Sequence, residues 1–257
     1  MTKRPLLEAS IIAKNEEEMI GAMIDSIKGI DSIVIADTGS TDKTIKLARS
    51  KGAKVFTQYK WNDNFSEARN YSMSKCKGEW LMIIDCDEVF TGSMDALRKF
   101  LQSPTMEKYD AIYFTVNTGE EVNDQIRVVR NLPEIEWVNA AHNLLYMKTE
   151  NGNERISDDK IFKSSFKIDA GFSPNHRVDV DRTFRILSKE LQKNPGNTRY
   201  MYYIAREYLN RKDVFAAIFW LERYITIAPQ TNELADVHYI LATCYMDTGD
   251  ILSLIHI

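Results

Sequence analysis

The apolar run Trp80-Leu81-Met82-Ile83-Ile84 carries no charge and breaks off directly into Asp85-Cys86-Asp87-Glu88. A short run of this kind, bounded by polar residues, reads as a strand buried on both faces, the usual state of strands in parallel sheets. If strand geometry persists past Ile84, the period of two places Asp85 and Asp87 on one face and turns Cys86 to the other. Two hard oxygen ligands then share one side of a sheet edge, which suits Mg²⁺ or Mn²⁺ held together with phosphate oxygens. An isolated Asp-x-Asp is more often a solvated loop before a helix, so the surrounding pattern has to decide.

That pattern repeats upstream. Leu6 to Ala13 is mostly apolar and runs into Lys14-Asn15-Glu16-Glu17-Glu18, after which Met19, Ile20, Met23, Ile24 and Ile27 recur at helical spacing. Asn15 and the glutamates then stand at a helix start, where Asn caps free amides and acids suit the helix dipole. Ser32 to Ala36 is a second short strand ending in Asp37-Thr38-Gly39-Ser40-Thr41-Asp42, where capping by Ser40 or Thr41 is the purely structural alternative. Lys54 to Thr57 is a third, followed by Trp61 to Asn70, in which Phe65, Ala68 and Ser72 share a helix face. Arg69 projects from nearly the same side, and packing does not account for an arginine there. With the acidic strand as the fourth, the order is β-α-β-α-β-α-β and predicts a parallel sheet. Ligands of such sheets bind beyond the carboxyl ends of the strands.

Ile11-Ile12-Ala13-Lys14-Asn15-Glu16, Asp37 to Asp42, Trp61 to Asn70 and Asp85-Cys86-Asp87-Glu88, in this order and spacing, resemble family 2 glycosyltransferases of the GT-A fold. The resemblance implies a Rossmann-like α/β domain with a mostly parallel central sheet and a nucleotide-sugar donor, most often a UDP-sugar. It implies Ala13, Asn15 and Glu16 beside the nucleotide, Asp37 on the uracil and Arg69 helping to read the base. Asp85 and Asp87 would hold the ribose and a divalent cation, Mn²⁺ or Mg²⁺, while Gly39, Ser40, Asp42, Phe65, Cys86 and Arg130 complete the implied donor site. Such a transfer passes through an oxocarbenium-like state in which negative charge builds on the departing diphosphate. A metal neutralises that charge, with Arg69 or Arg130 assisting, and an inverting transfer also needs a base for the acceptor's proton.

Ala111 to Val116 and Gln125 to Arg130 read as an antiparallel pair around the turn-rich Asn117 to Asp124. Arg127 and Arg130, three apart, face opposite sides of an extended strand, so only one of them need reach the site. Trp137 to Tyr146 contains His142; a lone His between apolar neighbours is more often structural than catalytic. The resemblance revises this, because Ala141-His142-Asn143 is similar to the Ile-His-Asn or Val-His-Glu element of this subgroup. It implies His142 as acceptor base, metal ligand or orienter of the donor, with Asn143 lacking the carboxylate that some members carry. Ile168-Asp169-Ala170-Gly171-Phe172 stands where the resembling proteins show His-x-Gly-Tyr, which puts Asp169 with Asp85, Asp87 and His142 in the expected metal set. His142 and Asp87 are the expected catalytic residues. Thr149 to Lys160 reads as a surface excursion.

The expected domains are 1–175, the glycosyltransferase unit, and 176–257, a helical segment. Val180, Phe184, Leu187 and Leu191 make one helix face, stopped by Asn194-Pro195-Gly196. Ile204-Ala205-x-x-Tyr208 with Lys212-Asp213 then matches Leu241-Ala242-x-x-Tyr245 with Gly249-Asp250, each position offset by 37 residues. That is near the tetratricopeptide period with a small insertion at Thr231 to Asp236, and Ala217 and Pro229 fall where the motif expects them. Repeats stack on neighbours, so an array ending in Ile255-His256-Ile257 reads as unfinished, and Leu252 to Ile257 as translated adapter sequence carrying no function. The closest likeness within the family is to members with helical repeats, including those similar to the S-glycosyltransferases that modify bacteriocin peptides. A peptide, protein or glycan acceptor is expected, with protein contact or self-association through the repeats.

A net charge of -4, with no segment that collects Lys and Arg, argues against nucleic acid. No apolar segment approaches the roughly 18 residues that a membrane span needs, so a cytoplasmic protein is expected. Cys76, Cys86 and Cys244 are scattered and suggest neither a disulfide framework nor a zinc cluster. The expected function is metal-dependent, inverting sugar transfer. A nucleotidyltransferase would need a Gly-rich, Arg-containing loop after the first strand, where Ala13-Lys14-Asn15-Glu16-Glu17 stands instead. A non-catalytic scaffold whose repeats bind a partner is the alternative.

Overall fold

The computed structural model describes residues 4–174, 178–228 and 233–254; Pro229, the start of the insertion at Thr231 and the terminal Ile255-His256-Ile257 lie outside the described residues. The chain divides into two compact units, Met1–Asn139 with Asn143–Asp179, and Ala140–His142 with Val180–Ile257. The division falls four residues beyond the expected 175, and the excursion of Ala140–His142 into the second unit is not foreseeable from local sequence.

In the first unit, β1 (Leu7–Ala13), α1 (Ile20–Ser26), β2 (Ser32–Asp37), α2 (Thr44–Ser50), β3 (Lys54–Phe56), α3 (Phe65–Ser74) and β4 (Trp80–Ile83) alternate as expected. β1 pairs in parallel with both β2 and β4, and β2 with β3. There follow β5 (Glu88–Phe90), α4 (Met94–Leu101), β6 (Ala111–Asn117), β7 (Val122–Arg130), β8 (Ile135–Val138), β9 (Leu144–Thr149), β10 (Gly152–Arg155) and β11 (Ile161–Ala170). The main sheet has the order β3-β2-β1-β4-β7-β6-β11-β5, and β8 to β10 form a separate sheet of three. β7 and β5 run antiparallel to their neighbours, whereas β11 is parallel to β6. The expected surface excursion, Thr149 to Lys160, contains the exposed β10, paired with β9.

β4 is buried along its whole length, as its uncharged sequence requires. Its alternation serves two cores: Trp80 and Met82 pack into the cluster with Ile20, Met23, Leu97 and Phe114, and Leu81 and Ile83 into the one with Val34, Met73 and Val129.

The pairing of β1 with β4 ends at Ser10 and Ile83, while β1 stays paired with β2 as far as Ala13. Past Ser10 the backbone finds other partners. The Ser72 hydroxyl, fully buried on α3, accepts the Ile11 amide (3.1 Å) and donates to the Ile11 carbonyl (3.0 Å). The Cys86 thiol donates to the Ile12 carbonyl at 3.5 Å.

The second unit contains α5 (Arg182–Lys193), α6 (Thr198–Asn210), α7 (Val214–Ile227), α8 (Leu234–Thr248) and α9 (Ile251–Leu254), each packed against the next. Val180 lies outside α5 and is exposed; Ile186 joins Leu187 and Leu191 on the buried face instead. The sequence offset of 37 is a structural repeat. The Asp213 amide bonds the Tyr208 carbonyl and the Asp250 amide the Tyr245 carbonyl, both at 2.9 Å. Asp213 and Asp250 then cap the amides of Ala216 and Ser253, both at 3.1 Å. Lys212 and Gly249, at equivalent places, have φ of 60° and 74°.

Two substitutions test this description. Ser72→Ala takes from the buried Ser10 hydroxyl its partner at 3.0 Å and lowers stability by about 1–3 kcal/mol in denaturant titrations. Lys212→Gly relieves a left-handed backbone that a side chain disfavours by about 1–2 kcal/mol, and raises the midpoint of thermal unfolding.

Candidate functional site

The carboxyl ends of β2, β1 and β4 lie side by side, and the loops that leave them are tied together by hydrogen bonds. Ala13, at the end of β1, accepts the Thr38 amide on its carbonyl at 2.9 Å. Asn15 adopts φ of 56° and stitches the first loop to the second: its amide donates to the Ser40 hydroxyl (2.9 Å), and its side-chain oxygen accepts the Thr41 amide (2.7 Å). The expected helix cap is therefore not made, since α1 begins only at Ile20 and has no side-chain cap. The Glu16 amide donates to the Thr44 hydroxyl at 2.7 Å, and the Glu17 amide to Asp42 Oδ2 at 3.1 Å.

Asp37 is 3% exposed, and its Oδ2 accepts the amides of Gly39 and Ser40, each at 3.0 Å. Gly39 takes φ of 112°, the conformation that this tight turn demands. The other oxygen, Oδ1, is buried with no hydrogen-bond partner among the described residues. Asp42 is held below the ordinary carboxylate range: burial opposes ionisation, but the hydroxyl and amide of Thr44 and the amide of Glu17 outweigh it. Glu16 is raised, first by burial, with Asp87, Asp42 and Asp85 adding to it and the Ser173 hydroxyl opposing.

The strand does not persist to Asp87. β4 ends at Ile83, and Asp85 to Glu88 form a turn in which the Glu88 amide donates to the Asp85 carbonyl (3.1 Å) and the Asp85 amide to Glu88 Oε2 (2.8 Å). Asp85 and Asp87 are half-buried and Cys86 is buried, so the turn separates the acids from the thiol as alternation would have done. The Cys86 side chain points into the core. Its thiol is pushed well above its ordinary value by burial and then by Glu16, Asp85 and Asp87. On α3, Arg69 donates through one nitrogen to both oxygens of Asp85 (2.8 and 3.1 Å) and lies over the Trp137 ring, 4.9 Å from its centroid. Phe65, one turn earlier, packs edge-on against Trp61.

Arg130 is not in this region. It pairs with Trp80, the first residue of β4, and so stands at the other end of the sheet. There it donates to the carbonyls of Tyr109 (2.8 Å) and Met106 (2.7 Å) and covers the Trp80 ring. Arg127 comes to the acidic turn instead: a register shift in the β6–β7 ladder leaves it unpaired on the backbone, and its side chain forms a buried ion pair with Glu88.

Asp169 is exposed, lies opposite Val89, and accepts a hydrogen bond from Asn117 at 3.2 Å. The segment just after it reaches the acids. The Gly171 amide donates to the Asp87 carbonyl (2.7 Å), the Ser173 amide to Asp87 Oδ2 (3.1 Å), and the Ser173 hydroxyl to Glu16 Oε2 (2.7 Å). A Cβ on Gly171 would sit 2.8 Å from the Asp87 carbonyl oxygen. Sequence reasoning missed Ser173; the glycine two residues before it was the available signal.

His142 belongs to the second unit. Its ring stacks on Tyr203, with centroids 3.6 Å apart and planes within 5°, and its carbonyl accepts Arg199 Nε at 3.0 Å. The covering of the ring, then Arg199 and Arg206, pull its pKa down to about 4, although the residue keeps an exposed edge. Among the described residues, no three of His, Cys, Asp and Glu form a group able to hold a metal ion. Asp85, Asp87 and Asp169, all of the first unit, therefore do not form such a group. Asp85 and Asp87 stand in one turn, and an ionised carboxylate offers about four lone-pair sites, so one hydrogen bond does not exhaust it. Such a donor set fits a cation held by one or two protein carboxylates plus substrate phosphate, and not one enclosed by protein alone.

The family model described as "Glycosyl transferase family 2" matches residues 9–170. The chain is 24% identical over 263 residues to the SPbeta prophage-derived glycosyltransferase SunS of Bacillus subtilis, covering 97% of this chain and 61% of that one. It is 31% identical over 160 residues to a TPR repeat-containing protein of Synechococcus elongatus, covering 57% of this chain and 38% of the relative. It therefore spans less than two thirds of the length of either relative. Among solved structures, S. aureus TarS 1-349 in complex with UDP-GlcNAc superposes with a TM-score of 0.55 at 14% identity, over 97% of this chain and 89% of that one. Glucosyl-3-phosphoglycerate synthase from Mycobacterium tuberculosis, in complex with Mn²⁺, UDP and glucosyl-3-phosphoglycerate, superposes with a TM-score of 0.50 at 16% identity, over 73% and 79%. At these identities the structural likeness shows the fold.

The raised pKa of Glu16 means that the native state prefers the protonated acid, so its contribution to stability is present at low pH and is lost as pH rises through the folded value. Glu16→Gln, which keeps an acceptor for Ser173, melts higher than wild type at pH 7.5 and level with it at pH 4. Differential scanning fluorimetry across that range measures the difference; a gain that is equal at both pH values contradicts the assignment.

Proposed function

The chain belongs to glycosyl transferase family 2 with a GT-A fold, and on that premise we propose that it transfers a sugar, with inversion, from a UDP-sugar to a peptide, protein or glycan acceptor. The observation that carries this reading is the cluster of side chains at the carboxyl ends of β2, β1 and β4, where Asp37 has a buried oxygen with no hydrogen-bond partner among the described residues and Asp85 meets Arg69. Asp37 Oδ1 is suited to accept the N3–H of a uracil, since a buried acceptor left without a donor costs about 1–3 kcal/mol and a base would satisfy it. Ala13, Asn15, Glu16, Ser40 and Asp42 frame that position through the bonds that join the first two loops. Arg69, oriented by Asp85 and Trp137, presents a cation to the nucleotide.

Asp85 and Asp87 would hold Mn²⁺ or Mg²⁺, which supplies positive charge to the departing diphosphate. The mycobacterial synthase bound to Mn²⁺ and UDP supports this, as does the two-carboxylate donor set. An acidic cluster otherwise repels a diphosphate. His142, neutral near pH 7 because its pKa is about 4, has a free acceptor capacity and is the proposed residue for the acceptor's proton. The helical repeats are the proposed acceptor platform. The scaffold alternative draws on one observation, the failure of Asp169 to join the acids.

A thermal-shift panel of UDP-, GDP- and dTDP-sugars with and without Mn²⁺ tests the donor. UDP-sugar with Mn²⁺ raises the unfolding midpoint, and the absence of a shift with every nucleotide sinks the proposal. Asp87→Ala lowers UDP-sugar hydrolysis by at least about 100-fold, as expected for losing a group that stabilises transition-state charge. Full transfer in His142→Ala would remove that residue from the mechanism.

A further inference from the structure

Glu88 and Arg127 form an ion pair within the first unit, with Arg127 Nη2 2.5 Å from Glu88 Oε1 and the two residues 4% and 7% exposed. Neither has the exposure to touch a substrate. A buried pair is a weak source of stability, because removing two ions from water offsets their attraction. Here the compensation is incomplete, since Arg127 Nε is buried with no hydrogen-bond partner among the described residues. The arrangement makes sense as geometry. Glu88 Oε2 accepts the Asp85 amide at 2.8 Å while the Glu88 amide donates to the Asp85 carbonyl at 3.1 Å, so the turn from Asp85 to Glu88 is closed by reciprocal bonds. Arg127 fixes the rotation of that carboxylate, and is itself oriented by Gln125 Oε1 at 2.9 Å and by the irregularity in the β6–β7 ladder. On the other side, Arg69 holds the Asp85 carboxylate.

We infer that Glu88 and Arg127 are positioning residues that set the direction of the Asp85 and Asp87 carboxylates toward a divalent cation bound with a nucleoside diphosphate. The inference rests on the donor-site reading above and adds a pair of residues that the donor does not contact. Arg127 and Glu88 act through the backbone of the turn, so their loss should weaken cation binding while leaving contacts to the base intact.

The test uses the full chain and three readouts: Mn²⁺ affinity in the presence of UDP from the paramagnetic resonance signal of free Mn²⁺, metal-free UDP affinity by calorimetry, and the unfolding midpoint. In R127M and E88Q the Mn²⁺ affinity falls by about 10- to 100-fold, the usual effect of removing a group that orients a ligand, while metal-free UDP affinity is unchanged within about twofold. R127K recovers part of the loss. The apolar pair E88L/R127L keeps the wild-type midpoint or exceeds it, yet binds Mn²⁺ as weakly as the single variants. Mn²⁺ affinity that matches wild type in R127M and E88Q, or that the apolar pair restores, overturns the inference while leaving the donor reading in place. A wild-type protein that binds neither UDP nor Mn²⁺ overturns the donor reading, and this inference with it. Should E88L/R127L fail to fold, R127M against R127K decides: recovery upholds the inference, and equal affinities overturn it.

Discussion

Where β4 ends, β1 runs on beside β2 as far as Ala13, and side chains from elsewhere in the unit bond its backbone there. Ser72 bonds the Ile11 amide and carbonyl, the Cys86 thiol bonds the Ile12 carbonyl, and the Thr38 amide continues the β1–β2 ladder at Ala13. These bonds hold the carboxyl end of β1 beside the loops that carry Asp37 and Asp85. Site and fold are therefore not independent here. The α3 helix that brings Ser72 to Ile11 also carries Arg69 to Asp85, one turn away along the same surface.

The carboxyl ends of β1, β2 and β4 concentrate acids, and each is accommodated differently. Asp42 is stabilised as an anion by amides and a hydroxyl, whereas Glu16 is disfavoured as an anion by burial and by its neighbours. Asp85 is matched by Arg69, and Asp87 by the amide and backbone contacts that follow β11. This uneven treatment leaves net negative charge where a diphosphate is proposed to bind. The proposed divalent cation resolves that conflict, and the acidic excess becomes a reason for nucleotide and metal to bind together.

The alternating α/β order was readable from hydrophobic periodicity, because burial sets period directly; the parallel pairing of the first four strands followed from that order, and the helical repeat from residues matched at an offset of 37. The strand-end clusters were readable for the same reason. What could not be read was register and turn geometry. Arg130 and Arg127 differ by three positions: pairing with Trp80 carries Arg130 to the far end of β4, whereas Arg127 falls at the irregularity in the β6–β7 ladder and meets Glu88. Asp85 and Asp87 share a side through a turn rather than through strand alternation. Asp169 was placed by likeness to a motif, whereas the structure uses the residues just after it, Gly171 and Ser173. His142 illustrates the remaining limit, since its neighbours Tyr203 and Arg199 lie some sixty residues along the chain.

The closed turn from Asp85 to Glu88 has a thermodynamic consequence. Its amide, carbonyl and carboxylate are each engaged before any ligand arrives, so the conformational entropy of that segment is surrendered during folding. Donor binding then has little backbone left to order, and favours ligands that match a fixed spacing of charges over those that would need the turn to adapt. With the donor bound there as proposed, selectivity for the leaving group follows from a segment whose hydrogen bonds are already made in the folded chain.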